Sequence, residues 1–172
     1  TPGPLDMRMN PARGQPASAW LRRLRPAELA ALLEENADEP HARVLGEALA
    51  GQAFEQTLEL ADRVRATLTT LRPDDRERSV RRVFQALRIA VNEEFTALDT
   101  LLRHLPACLT PGGRAAIITF HSGEDRRVKK AFQAGLRAGL YAAVSEEPVR
   151  PGAAERRDNL RAGAAKLRWA RL

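Results

Sequence analysis

The sequence has a single cysteine, Cys108, so no internal disulfide can form and a reducing compartment is the default expectation. No apolar run approaches the roughly 18 residues of a membrane span, and the opening Thr1-Pro2-Gly3-Pro4 has neither the basic nor the apolar region of a signal peptide. The expectation is therefore a cytoplasmic protein with no membrane contact. His121 has no Cys or His partner at ligand spacing, so no metal site is expected. A Gly-rich strand–helix turn of the nucleotide-binding kind is missing, as are internal repeats and any helix-turn-helix with a distinct recognition helix.

What is present is a chain of 172 residues, 44% hydrophobic, long enough to bury a sizeable core as one domain with a smaller insert. Its net charge of +6 makes an acidic partner plausible. The positive charge lies mostly after the middle of the chain and is mostly arginine, which suits bidentate phosphate contacts. The same arginines are also consistent with solvated helix faces.

Gly3-Pro4-Leu5-Asp6-Met7-Arg8-Met9-Asn10-Pro11 is too rich in Pro and Gly for a helix and reads as a loop, with an Asp6–Arg8 pair able to face a pocket. From Ser18 to Leu71 the pattern is helical. Ser18, Asp38 and Thr57 are the expected starts of short helices carrying Leu29, Leu33, Leu45, Leu49, Leu60 and Val64 inward. Residues 74–105 read as the longest helix, with Val80, Val83, Phe84, Leu87, Val91, Phe95, Leu98 and Leu102 at spacings of three and four. Its first half carries Arg76, Arg78, Arg81, Arg82 and Arg88, spaced so that they could follow a nucleic-acid backbone. Asn92 falls on or near the apolar side and needs a partner there.

Pro111-Gly112-Gly113 then turns the chain into a buried strand over Ala115–Phe120, followed by a helix over Asp125–Leu136. A second strand is expected over Leu140–Val144, a surface loop over Pro148–Asp158 and a final edge strand over Ala164–Leu172. The stretch Phe120-His121-Ser122-Gly123-Glu124-Asp125-Arg126 marks the carboxyl edge of the sheet, where open α/β sheets bind ligands. Two readings fit it equally: Ser122, Glu124 and Asp125 as a helix cap and acidic first turn, or His121, Ser122, Glu124 and Asp125 as a site. A Ser/His nucleophile is not expected, because adjacent residues on a strand point to opposite sides and no base is placed by spacing.

Four separated motifs together resemble a known family. They are Gly3-Pro4-Leu5-Asp6-Met7-Arg8-Met9; Val83-Phe84-Gln85-Ala86-Leu87-Arg88-Ile89-Ala90-Val91-Asn92-Glu93-Glu94; Pro111-Gly112-Gly113-Arg114 leading to Phe120-His121-Ser122 and Glu124-Asp125-Arg126; and Asn159, Arg161 and Ala162 with Lys166-Leu167-Arg168. Their order and spacing are similar to the bacterial small-subunit ribosomal RNA methyltransferase H family, also called MraW. That family methylates the N4 amino group of a cytosine in 16S RNA with S-adenosylmethionine, so the partner implied is small ribosomal subunit RNA.

The resemblance implies an α/β fold: the C-terminal half of a Rossmann-like methyltransferase sheet plus an inserted all-α domain. Residues 1–17 would be a loop joining from the methyltransferase domain, 18–90 the inserted helical domain, and 91–172 the returning half of the sheet. The family's Gly-rich cofactor loop and ribose-binding acidic residue precede the point where this chain starts, so S-adenosylmethionine binding by these residues, and activity of this part alone, are not expected. Asp6, His121, Ser122, Glu124 and Asp125 become candidates for the cytosine pocket. Arg8, Arg81, Arg82, Arg88, Asn92, Arg126, Lys129, Arg161, Lys166 and Arg168 become RNA-binding or structural candidates.

Departures from the family pattern include Asn10 in place of Asp, Gly123 in place of Leu, and Gly163 in place of Arg. The loss of an apolar side chain at Gly123 is expected to loosen the edge. A reading of a different class is a non-catalytic RNA-binding or scaffold remnant of the same family.

Overall fold

A computed structural model of the chain describes residues 2–172. It contains two compact units, one ending at Glu94 and the other running from Phe95 to Leu172.

The first unit is helical: α1 (Ala17–Leu21), α2 (Pro26–Ala37), α3 (Ala42–Leu49), α4 (Thr57–Thr67) and α5 (Pro73–Val91). Pro26 and Pro73 open α2 and α5, where a fixed φ suits the first turn and the missing N–H has no helical partner to lose. Glu28 accepts the Arg25 N–H at 2.9 Å and Glu59 accepts the Gln56 N–H at 3.1 Å, so acidic side chains satisfy the open helix starts. The expected starts shift accordingly. Ser18 lies inside α1, Thr57 is the first residue of α4, and Asp38 ends α2 in a left-handed conformation at φ 48°. Glu39 takes the His41 N–H at the head of α3 instead, at 3.0 Å.

Leu21, Leu29, Leu33, Leu45, Leu49, Leu60, Val64, Val83 and Leu87 are fully buried, and Leu5 joins them from the N-terminal loop. Each such side chain contributes about 1.5–3 kcal/mol relative to exposure. At Gly46 a Cβ would stand 2.5 Å from the Pro26 carbonyl oxygen, so only glycine lets α2 and α3 approach so closely.

The long helix expected over 74–105 is broken. It stops at Val91, and α6 (Glu94–His104) begins after Asn92 and a left-handed Glu93 at φ 52°. The cause is the Asn92 amide, whose Nδ2 donates to the Arg88 carbonyl at 2.9 Å and to the Met7 carbonyl at 2.8 Å. Side-chain amides compete in this way with the helical ladder. Asn92 Oδ1 also accepts the Met9 N–H at 2.7 Å, which gives the residue the partner it needed.

The second unit is mixed: most of α6, then β1 (Arg114–Thr119), α7 (Ser122–Arg137), β2 (Ala143–Val144), α8 (Ala153–Asp158) and β3 (Lys166–Arg171). The sheet order is β1-β3-β2, with β3 antiparallel to both neighbours. Ile118 pairs with Leu167 and Ala116 with Trp169. Thus the last strand is central, where an edge strand was expected. The returning chain slots between two strands and hydrogen-bonds on both sides. Because β1 and β2 both oppose β3, they run parallel to each other, joined through α7. The stretch expected as a loop over Pro148–Asp158 contains α8, and the second strand is only two residues long.

Val128 and Phe132 of α7 pack with Tyr141 and Ala170 on one face of the sheet. On β1 the expected burial is only half realised: Ala116, Ile118 and Phe120 are exposed, alternating with Ala115, Ile117 and Thr119. Among the described residues no helix is long and apolar enough to cross a membrane.

Candidate functional site

The chain leaves β1 at Thr119, passes through Phe120 and His121, and enters α7 at Ser122. His121 is extended, at φ −138° and ψ 165°, and is the residue that caps the helix. Its Nδ1 accepts the Glu124 N–H at 3.4 Å, and Glu124 Oε2 in return accepts the Phe120 N–H at 2.9 Å. The expected cap, Ser122, is the first residue of α7. Since Nδ1 accepts, the neutral ring carries its proton on Nε2. That atom is buried, 3.2 Å from Glu124 Oε1, with no aligned hydrogen bond. Burial pushes the Glu124 carboxyl up, but the His121 ring and the Phe120 N–H outweigh it and hold the group below its usual range. The edge therefore presents an ionised, half-buried carboxylate that can accept a hydrogen bond from a polar ligand, with the imidazole Nε2 covered beside it.

Behind this pair lies a feature that the sequence did not signal. The Phe95 ring packs 5.8 Å from the His121 ring, and the Arg127 guanidinium sits 4.1 Å over the Phe95 centroid while holding Asp99 at 2.8 Å. A Cβ on Gly123 would stand 2.7 Å from Phe95 Cζ. Phe95 thus fills the space of an apolar side chain at 123, and the edge is packed where loosening was expected.

Asp125 faces the other way. Arg168 Nε and Nη2 donate to its two oxygens at 2.7 and 3.3 Å, and Lys166 Nζ adds a contact at 3.3 Å. Burial raises its carboxyl, and the Arg168 and Lys166 charges more than offset this, so its pKa lies below normal. Arg168 is 3% exposed, which makes it part of the interior of this unit.

The structure brings His121, Ser122, Glu124 and Asp125 together in the second unit; Arg126 is exposed on α7 and Lys129 half-buried. Arg161 is exposed in the short turn after Asn159, whose side chain accepts its N–H. The other candidates belong to the first unit. There Arg8 grips Asp6 at 2.7 and 2.9 Å, and these hydrogen bonds, against slight desolvation, lower the Asp6 pKa to about 2. Arg88 pairs with Glu94 at 2.8 Å, Arg82 lies 3.9 Å from buried Glu39, and Arg81 is exposed.

In the strand–helix turn the Phe120 and Glu124 N–H groups are taken up by the Glu124 and His121 side chains, and the glycine is covered by Phe95. With its glycine covered, this turn offers no Gly-rich cradle for a nucleoside cofactor. Among the described residues no group of three or more His, Cys, Asp or Glu side chains is placed to hold a metal.

All of residues 1–172 match the model of the MraW methylase family. The chain belongs to that family. It is 42% identical to ribosomal RNA small subunit methyltransferase H 1 of Lachnoclostridium phytofermentans, over 99% of this chain and 49% of the relative. Against the protein of the same name in Agathobacter rectalis the identity is 44%, over 98% of this chain and 51% of the relative. A third relative, ribosomal RNA small subunit methyltransferase H of Anaeromyxobacter sp., is 42% identical over 97% of this chain and 60% of its own length. The chain thus spans about half the length of the first two curated relatives it matches.

Proposed function

We propose that these residues are the substrate-facing part of an enzyme that methylates the N4 amine of a cytosine in small-subunit ribosomal RNA, with S-adenosylmethionine as methyl donor. The observation that carries the reading is the Glu124–His121 pair at the carboxyl end of β1, in a chain matched along its whole length by a methylase family. The names of the relatives supply the ribosomal RNA. In this reading the cofactor is held by a part of the family outside these residues.

The proposed architecture is the C-terminal half of a Rossmann-like sheet with an inserted helical domain. Two observations support it: β1 and β2 run parallel around α7, and the sheet face opposite α7 leaves Ile118, Phe120 and Trp169 at 57%, 56% and 37% exposure. Apolar side chains so placed are what further chain would cover.

On the substrate side an exocyclic amine must be oriented and water excluded; a strong base is not needed. Glu124 accepts an amine hydrogen, and His121, which caps α7 and packs against Glu124, holds that carboxylate in place. Asp125, with Arg168 and Lys166, anchors α7 to β3 and so fixes the height of this pair. Arg126, Lys129 and Arg161 are assigned to the RNA backbone. The proposed setting is the cytoplasm, on assembled small subunits. The test is methylation of small subunits by a full-length family enzyme carrying this segment, with His121→Ala or Glu124→Gln. Unchanged N4-methylcytosine would remove the pocket assignment.

A further inference from the structure

A groove of about 610 Å³ runs between α4 and α5 in the first unit. Its floor is apolar, formed by Leu58, Val80 and Phe84, with Met7 at its margin. Leu58 is 50% exposed and the Phe84 ring is only half-buried, so apolar surface is left open there. Three guanidinium groups line the same groove: Arg65, Arg81 and Arg88. Arg65 is held by Glu77 at 2.5 Å and Asp62 at 2.7 Å, and Arg88 by Glu94 at 2.8 Å. Arg81 is exposed and makes no hydrogen bond or ion pair among the described residues, although its charge acts on Glu77 one turn away. Met7 is pinned in a left-handed conformation at φ 65° by the Asn92 amide, so this margin is built rather than loose.

A flat aromatic on an apolar floor, bordered by an exposed guanidinium that makes no hydrogen bond, matches a nucleobase and its phosphate. Charge favours an anionic occupant: five arginines lie on α5, at 76, 78, 81, 82 and 88, against Asp74, Asp75 and Glu77. We propose that this groove binds an unpaired nucleotide of the RNA substrate, with the base stacked on Phe84 and the phosphate on Arg81. The inference rests on the reading of an RNA substrate above, but it concerns a second subsite, remote in sequence from the His121–Glu124 edge.

The test is equilibrium binding of the 172-residue chain to a labelled single-stranded RNA of roughly eight nucleotides, followed by fluorescence anisotropy across a salt series. Arg81→Ala, at an exposed position, should flatten the slope of log K against log salt by about 0.7. Phe84→Leu keeps the apolar volume and should weaken binding about five- to a hundredfold, whereas Phe84→Tyr, which keeps a stacking face, should recover most of it. Circular dichroism of each variant separates lost binding from lost fold. Binding unmoved by Arg81→Ala and Phe84→Leu, equal loss in the Leu and Tyr variants, or no RNA binding by the unsubstituted chain would each overturn the groove. Methylation by the full-length enzyme, read separately at His121 and Glu124, would stand or fall independently.

Discussion

The amide of Asn92 reaches back 85 residues to hold the Met7 carbonyl at 2.8 Å, while its oxygen takes the N–H of Met9. One side chain thereby does two jobs. It ends α5, and it holds the Asp6–Arg8 loop as an added strand would, through a donor and an acceptor at once. Asn92→Asp keeps the shape but cannot donate to Met7. The variant should lose about 1–3 kcal/mol in urea unfolding, while the Met9 amide, whose acceptor oxygen remains, should keep its protection from hydrogen exchange. An unchanged midpoint would mean that the clamp is not a determinant of the loop.

Gly123 and Phe95 form the second pair to test. Gly123→Leu, which installs the residue of the family pattern, forces a carbon against the Phe95 ring and should cost about 1–3 kcal/mol. With Phe95→Leu in the same chain, space is regained and much of that cost should disappear. A double-mutant cycle by thermal unfolding measures the coupling directly, and additive effects would show that the ring is not what requires the glycine.

Asp125 and Arg168 give the structure an acid-sensitive joint. The native carboxyl pKa is depressed, so the pair's contribution is complete above the unfolded value near 3.8 and is lost as pH falls through the lower native value. Asp125→Ala leaves Arg168 buried without its partner and should cost about 3–5 kcal/mol. Asp125→Asn should remove the part of the acid dependence that this carboxyl supplies, measured as unfolding free energy between neutral and acid pH. An acid limb identical to that of the unsubstituted chain would contradict the assignment.

Much of the framework could be read from sequence because it is local. The periodic leucines of the helical unit, the turn at Gly112-Gly113, the strand after it and the pairing of Asp6 with Arg8 all follow from residues within a few positions of one another. What escaped depends on distant partners. Nothing near Asn92 announces Met7, so the long helix looked continuous. Nothing near Lys166–Arg171 states which strands flank it, so a central strand looked like an edge. Phe95 fitted the apolar stripe of a helix, and only the fold shows its ring seated on Gly123 beside His121. Glu124 and Asp125 read together as one acidic first turn or one site; the helical turn sends one towards Phe120 and the other onto β3.

The account turns on Glu124 as the acceptor that orients the target amine. The most direct measurement is the initial rate of N4-methylcytosine formation on small ribosomal subunits, by mass spectrometry, for the full-length enzyme carrying this segment with Glu124 or with Glu124→Gln. The account predicts a fall in rate of about a hundredfold with the thermal midpoint preserved within a few degrees. An unchanged rate, or formation of the same product with normal kinetics when both His121 and Glu124 are substituted, would contradict it.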